Sequence, residues 1–313
     1  MDTGKLIVIA LTVPLMVAGA VRAEESVNFA DPALKAAVEA SLGIVDPTPT
    51  DMLGLTELWA SGTGIADLTG LEYAECLRTL ALSDNQITNI SVVARLTNLM
   101  NLYLSNNPIS DISAVASLAN LFQLHLSYCH QISDISAVAS LTNLRVLYLD
   151  VNQISDISFL SRLTNLTYLD LGGNQISDIS VVAGLTSIVR LALWNNQISD
   201  ITAVAGLTNI VRLDLWGNQI SDISAVGGLT NLKVLRLDGN QISDISAVAG
   251  LRNLMWLYLD HNQISDISFL SGLTNLTELR LYDNPLDCPA YNIYIPMIEK
   301  NNPGIYILYD SMT

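Results

Sequence analysis

The sequence predicts an α/β solenoid: short parallel strands stacked one per coil, turns and 3₁₀ pieces on the opposite face, and a helical cap at the N-terminal end. Three observations predict it. The heptapeptide NQISDIS stands at Asn152–Ser158 and returns unchanged from Asn174, Asn218, Asn240 and Asn262, with close variants from Asn85, Asn107 and Asn196. These copies set a unit of 22 residues, and a fixed period of that size is the mark of stacked repeats. Within Leu232–Asn253 the apolar residues fall at Leu232, Leu235, Leu237, Ile242, Ile245, Val248 and Leu251, a set that one unit cannot bury alone but a stack can.

The first element is a leader. Lys5 precedes an apolar run, Leu6–Val21, too short for a span of ~20 residues, and Val21-Arg22-Ala23 follows as a signal-peptidase site. Residues 1–23 are expected to be a secretory signal cut after Ala23, the alternative being an uncleaved N-terminal anchor. Residues 24–54 form a cap: Asp31-Pro32 starts a helix, Leu34, Val38 and Leu42 give its apolar stripe, and Gly43 ends it.

Eleven repeats follow over residues 55–284, starting at Leu55, Leu77, Leu99, Leu121, Leu144, Leu166, Ile188, Ile210, Leu232, Leu254 and Leu276. Positions 3–7 of each unit alternate, which makes a short strand. Position 9 is Asn, whose amide can bond backbone groups of its own and the next rung. The Asp of the heptapeptide forms a turn, and its second Ser, as in Ser246, is expected to cap the short helical turn Ala247–Gly250. Stacked aspartates such as Asp200 and Asp222 also permit a calcium reading, against which stand their solvated turn positions and the lack of a glycine-rich nonapeptide. The first unit is degenerate, with Thr63 at position 9. The fourth has Cys129 there and an extra residue, His130, which implies a local bulge. Residues 285–313 break the frame, and Ile293–Ile298 with the strand-like Ile305–Tyr309 are expected to cap the last rung.

The pattern LxxLxLxxNxIxxIxxVxxL resembles the leucine-rich repeat, in the short bacterial form of the internalin-like proteins. The resemblance covers Leu55 to Asn284. It implies a horseshoe with a parallel β-sheet on the concave face, a surface used for protein recognition.

Half the residues are hydrophobic and the formal net charge is −16, one unit more negative once Asp2, Lys5 and Arg22 leave with the leader. Such acidity speaks against nucleic acid and anionic membranes as partners. After signal removal no stable membrane insertion is expected, and the protein is placed as secreted, periplasmic or at the cell surface. Cys129 and Cys288 are about seven rungs of ~4.8 Å apart, beyond the reach of a disulfide, and Cys76 is two rungs from Cys129.

The variable letters of the strands point away from the core. Position 3 carries Tyr168, Arg190, Arg212 and Trp256; position 5 carries Tyr148, Asp214, Arg236 and Tyr258; position 7 carries Trp194, Trp216 and Tyr282. These eleven residues are the candidate ligand-binding set, because Trp, Tyr and Arg dominate binding hot spots. All four tryptophans are expected on the exposed face, with Trp194 stacked on Trp216 and Arg190 and Arg212 beside them. The favoured function is recognition of a protein ligand, with no cofactor and no metal. The alternatives are glycan binding on the same aromatic rows, a structural spacer, and, least favoured, a Ser-His-Asp hydrolase using His125, Ser105 or Ser127, and Asp150. His125, His130 and His261 have no metal-ligand spacing.

Overall fold

The computed structural model describes residues 24–311; the leader expected over residues 1–23 lies outside the described residues. Twelve strands form one parallel sheet in sequential order. Eleven three-residue strands recur at the repeat spacing, from β1 (Glu57–Trp59) through β5 (Val146–Tyr148), β6 (Tyr168–Asp170), β7 (Arg190–Ala192), β8 (Arg212–Asp214) and β9 (Val234–Arg236) to β11 (Glu278–Arg280). The C-terminal segment adds β12 (Tyr306–Leu308), in register with β11.

The middle residue of each of the eleven repeat strands, such as Leu191 or Leu213, is buried, while its neighbours face outward. Leu, Ile and Val columns from successive rungs merge into one continuous core. Buried position-9 asparagines join the rungs. In rung seven, Asn196 Nδ2 donates to Leu193 O at 3.1 Å and Leu171 O at 3.0 Å, while its Oδ1 accepts the N–H of Ile176 at 2.9 Å. The bonded neighbour is therefore the preceding rung, not the following one as the sequence reading had it. Amide geometry gives the reason: at the strand exit the side chain points back over the previous coil.

The convex side consists of 3₁₀ turns such as Ser246–Gly250. Ser246 does not cap its turn. Asp244 does so two residues earlier, accepting the Ser246 N–H at 2.7 Å, and the same Asp-to-Ser bond recurs at Asp111, Asp178 and Asp222. Asp reaches the N–H two residues on without disturbing the turn, so the Ser hydroxyl is not required. A second asparagine column also joins the coils: Asn231 and Asn253 donate to Thr208 O and Thr230 O of the preceding coils.

Position 8 is left-handed in every unit, from Gly62 (φ 68°) and Asp84 to His261 and Asp283. Gly, Asn and Asp dominate this column because they tolerate positive φ. Val151 (φ 56°) is the misfit. Rung four is irregular. Tyr128 and His130 both have positive φ, Cys129 is buried with Sγ 3.9 Å from Leu104 O, and Asn152 keeps Oδ1 without a partner. At rung one, Thr63 Oγ1 takes part of the asparagine's role by donating to Ala60 O at 2.9 Å.

At the N-terminal end, α1 (Pro32–Leu42) buries Leu34 and Val38 against the first rung and ends at Gly43 with φ 68°. Asp31 accepts the Ala33 and Leu34 N–H groups with one oxygen and those of Ala66 and Asp67 with the other, tying the cap to the first repeat. A short helix, α2 (Pro49–Met52), precedes β1, and α3 (Ile295–Asn301) precedes β12. Among the described residues no helix is long and apolar enough to cross a membrane.

Candidate functional site

The open face of the sheet carries two ladders of side chains: one follows position 5 over rungs one to five, and the other runs along position 7 over rungs six to eight and crosses to position 5 from rung nine. The C-terminal ladder starts at Gly172. Trp194 lies flat across it, so close that a Cβ on Gly172 would sit 2.0 Å from the indole. Trp216 stacks on Trp194, with centroids 5.0 Å apart and planes 3° from parallel. The Arg236 guanidinium covers the next indole at 5.4 Å and the Tyr258 ring at 5.2 Å, and Arg280 lies 4.9 Å from the other side of Tyr258. Glu278 holds the end of this ladder, accepting from Arg280 Nε at 2.8 Å and from the Tyr258 hydroxyl at 3.1 Å.

The N-terminal ladder is uncharged. Trp59 and Tyr103 stack with centroids 6.2 Å apart, spanning the rung where position 5 is the small Ala81. His125 follows at 4.7 Å and Tyr148 at 4.5 Å from its neighbours. Burial between the tyrosines pushes the His125 imidazole down to about 4, so it is neutral at physiological pH, and Nε2 has no hydrogen-bond partner.

The expected stack of Trp194 on Trp216 is present, and the ladders correct how exposed the tryptophans are and which arginines lie beside them. Trp59 is 67% exposed and Trp256 37% exposed, but Trp194 and Trp216 are half-buried, each face covered by a neighbouring rung. Arg190 and Arg212 are not the cations beside them. Arg190 lies over Tyr168 at 5.4 Å, and Arg212 donates from Nε to Asp214 at 2.6 Å. Arg236 takes the place over Trp216, because position 5 of rung nine is nearer the indole plane than position 3 of rung eight. Tyr282 stands apart and exposed, edge-on to His261 at 5.7 Å. Arg280 and Glu278 were missing from the predicted set. Their signal was present, since Arg280 repeats the column of Arg236 two rungs earlier.

The Ser-His-Asp arrangement is not assembled. Ser127 Oγ donates to Asp150, Ser105 Oγ accepts the Ser127 N–H, and no serine bonds His125. A hydrolase triad needs a nucleophile–imidazole bond, and here the imidazole is packed between rings. Among the described residues no group of His, Cys, Asp and Glu is arranged to hold a metal ion. Cys129 is buried, its thiol pushed up to about 11 by that burial, while Cys76 and Cys288 are exposed free thiols.

Between the ladders the face sinks into a hollow of about 370 Å³. Its floor is Ala192, and Asp170 and Asp214 flank it on the neighbouring strands. Tyr148, Tyr168 and Trp194 wall it, and Arg190 stands exposed among its lining residues. Burial raises the Asp170 carboxyl to about 7; the Gly172 N–H and Arg212 oppose the rise, and Asp150 and Asp214 add to it.

Comparison with known proteins agrees with this architecture. The family model described as "Leucine Rich repeats (2 copies)" matches residues 119–162, 142–187, 164–206, 186–228 and 208–250, and the "Leucine rich repeat" model matches 75–130 and 230–286. Internalin H of Listeria monocytogenes is 42% identical over 67 residues, a match that spans 20% of this chain and only 12% of that protein. The crystal structure of an internalin, inlF, from L. monocytogenes superposes with a TM-score of 0.64 at 33% identity, covering 91% of this chain and 96% of that one. Internalin C2 from the same species gives a TM-score of 0.66 at 39% identity, covering 71% and 99%. Repeat, sheet and relatives agree, and the chain belongs to the leucine-rich repeat family as an internalin-like protein.

Proposed function

We propose that this protein is a recognition module that docks a protein ligand on its concave sheet face, and that its N-terminal segment sends it out of the cytoplasm to be secreted, periplasmic or surface-exposed. Residues 24–54 and 285–313 act as the end caps of a repeat body spanning 55–284. The observation that carries the reading is the pair of ladders on the open face. The core and convex letters of the repeat are nearly constant, while the open face changes from rung to rung and concentrates Trp, Tyr and Arg, as binding hot spots do. Pre-stacked side chains lose little entropy on docking.

The ladders also weigh against the glycan alternative. Sugar rings need free aromatic faces, and Trp194, Trp216 and Tyr258 have theirs covered by Gly172, by each other and by arginines. Edges and hydrogen-bonding rims remain, which suit a polypeptide surface. No catalysis is proposed, as the open face encloses no site and His125 is packed between two tyrosines with no serine bonded to it.

Affinity capture from the native environment tests the proposal, with the protein immobilised in three forms. These are wild type, the Trp194→Ala/Trp216→Ala double variant, and the exposed Trp256→Ala variant, whose side chain can go without loss of core packing. A protein retained by wild type and lost with either variant supports concave docking. Equal retention on all three overturns it, and retention of glycans without protein on an array favours the sugar reading.

A further inference from the structure

The hollow over Ala192 is built for more than shape. Asp214 is 6% exposed, lines the hollow, and leaves Oδ1 without a hydrogen-bond partner while Oδ2 takes Arg212 Nε at 2.6 Å. A nine-tenths-buried carboxylate oxygen left unpaired is costly, and a donor arriving from outside removes that cost. Across the floor, Asp170 has one bonded partner, the Gly172 N–H at 3.0 Å, and no arginine hydrogen-bonds it. Burial raises its carboxyl well above the ordinary range, the nearby carboxylates add to the rise, and Arg212 only partly offsets them. The three arginines that line the hollow are each engaged by another group: Arg190 over Tyr168, Arg212 on Asp214, and Arg236 between Trp216 and Tyr258 and bonded to Asp238. The walls of Tyr148, Tyr168 and Trp194 suit an aliphatic stem leading to a cation.

We propose that this hollow is a socket for one protonated basic side chain, lysine or arginine, of the protein ligand, held between Asp170 and Asp214 above Ala192. The assignment rests on the docking reading above and adds to it the chemistry of the anchor. The stem fills the gap between the two ladders. The charged head donates to Asp214 Oδ1 and to Asp170, which ionises as the cation arrives. The net negative charge of the chain draws such a group in, while Asp214 and Asp238 meet the charges of Arg212 and Arg236 in the lining.

The test uses the full chain and capped trilysine, tri-norleucine and triglutamate peptides as probes, titrated at pH 8 and low salt with tryptophan emission as readout. Trilysine should bind at least about tenfold tighter than either other peptide. Asp170→Asn and Asp214→Asn should each weaken it about tenfold, Asp170→Glu should restore much of the loss, and the convex Asp200→Asn should leave it unchanged. Circular dichroism confirms folding, and Asp170→Asn keeps the shape of the side chain should Asp214→Asn disturb Arg212. Equal weakening by Asp200→Asn, or no effect of Asp170→Asn, overturns the socket and assigns binding to diffuse surface charge. The capture experiment repeated with Asp170→Asn separates the two proposals. Retention by Asp170→Asn with loss in the double tryptophan variant overturns the socket and leaves concave docking standing. Retention by every concave variant overturns docking, and with it the socket as a ligand anchor.

Discussion

Trp194 and Trp216 lie face to face, centroids 5.0 Å apart and planes 3° from parallel, one rung spacing along the sheet. The repeat imposes this geometry. Equivalent positions on neighbouring strands are held ~4.8 Å apart, close to the separation at which flat rings stack. The two indoles therefore act as one rigid plate between Gly172 and Arg236.

Such a plate has a spectroscopic signature. The wild-type protein should show an exciton couplet in the aromatic circular dichroism that disappears in Trp194→Ala and in Trp216→Ala. Each substitution should cost about 1–3 kcal/mol in urea denaturation, less than a fully buried aromatic because both indoles are half-exposed. Gly172→Ala should perturb the same couplet without touching a tryptophan, because its Cβ needs the space the Trp194 ring fills. An unchanged couplet in that variant would show that the ring has room to slide.

Asp170 makes stability depend on pH. Its carboxyl is raised from 3.8 to about 7, so the folded chain holds a proton that the unfolded chain releases at lower pH. Stability from this group is full below 3.8 and declines as pH rises to about 7. Asp150, Asp214, Arg212, Arg190 and Tyr148 are the charged and titratable groups around it. Asp170→Asn should thus gain on wild type as pH rises from 4 to 7 and hold that gain above 7. The full shift corresponds to at most about 4 kcal/mol. Comparing the two proteins by denaturation at pH 5 and pH 8 isolates this group from His125, whose depressed imidazole favours unfolding on acidification. A difference independent of pH would refute the assignment.

Val151 is the one β-branched residue in the left-handed column at position 8. Val151→Gly should stabilise the protein by about 1 kcal/mol, since glycine enters that conformation without a Cβ clash. The reverse change, Gly217→Val, should destabilise by more, because its Cβ would also meet Asn195 Oδ1 at 2.1 Å. Thermal melts of both variants measure the asymmetry.

Rung four can be repaired. Replacing Cys129 by Asn and deleting His130 restores the 22-residue spacing and should let Asn152 Oδ1 accept the Ile132 N–H, as Asn174 Oδ1 accepts that of Ile154 at 3.0 Å. Satisfying one buried acceptor and adding one ladder amide should stabilise by roughly 1–3 kcal/mol. Slower hydrogen exchange at Ile109 and Ile132 would locate the gain. A loss of stability would mean that the bulge is itself required by neighbouring rungs.

Most of the scaffold was legible from letters. A repeat of Leu, Ile and Asn at fixed spacing admits few structures, since every unit must bury the same apolar set and satisfy the same bend. The details that escaped depend on direction. Asn196 turns out to bond the coil behind it, and Asp244, not Ser246, caps the convex turn. Composition does not distinguish these choices, because each residue type offers the right atoms for either partner. The candidate site was legible as a set of columns and illegible as contacts. Arg212 and Arg236 look interchangeable in sequence, yet one pairs with Asp214 on its own strand and the other lies between two rings.

By itself the sequence determined the period, the inward and outward faces and the columns in which the aromatic residues stand. Those follow from hydrophobic periodicity, which is local and repeated until it is unambiguous. The tertiary structure alone decided which face of each ring stays free, which arginine covers which indole, and that Asp170 and Asp214 line one hollow on either side of Ala192. Such outcomes depend on packing between side chains in different coils, where half an ångström of reach decides between solvent and a neighbour.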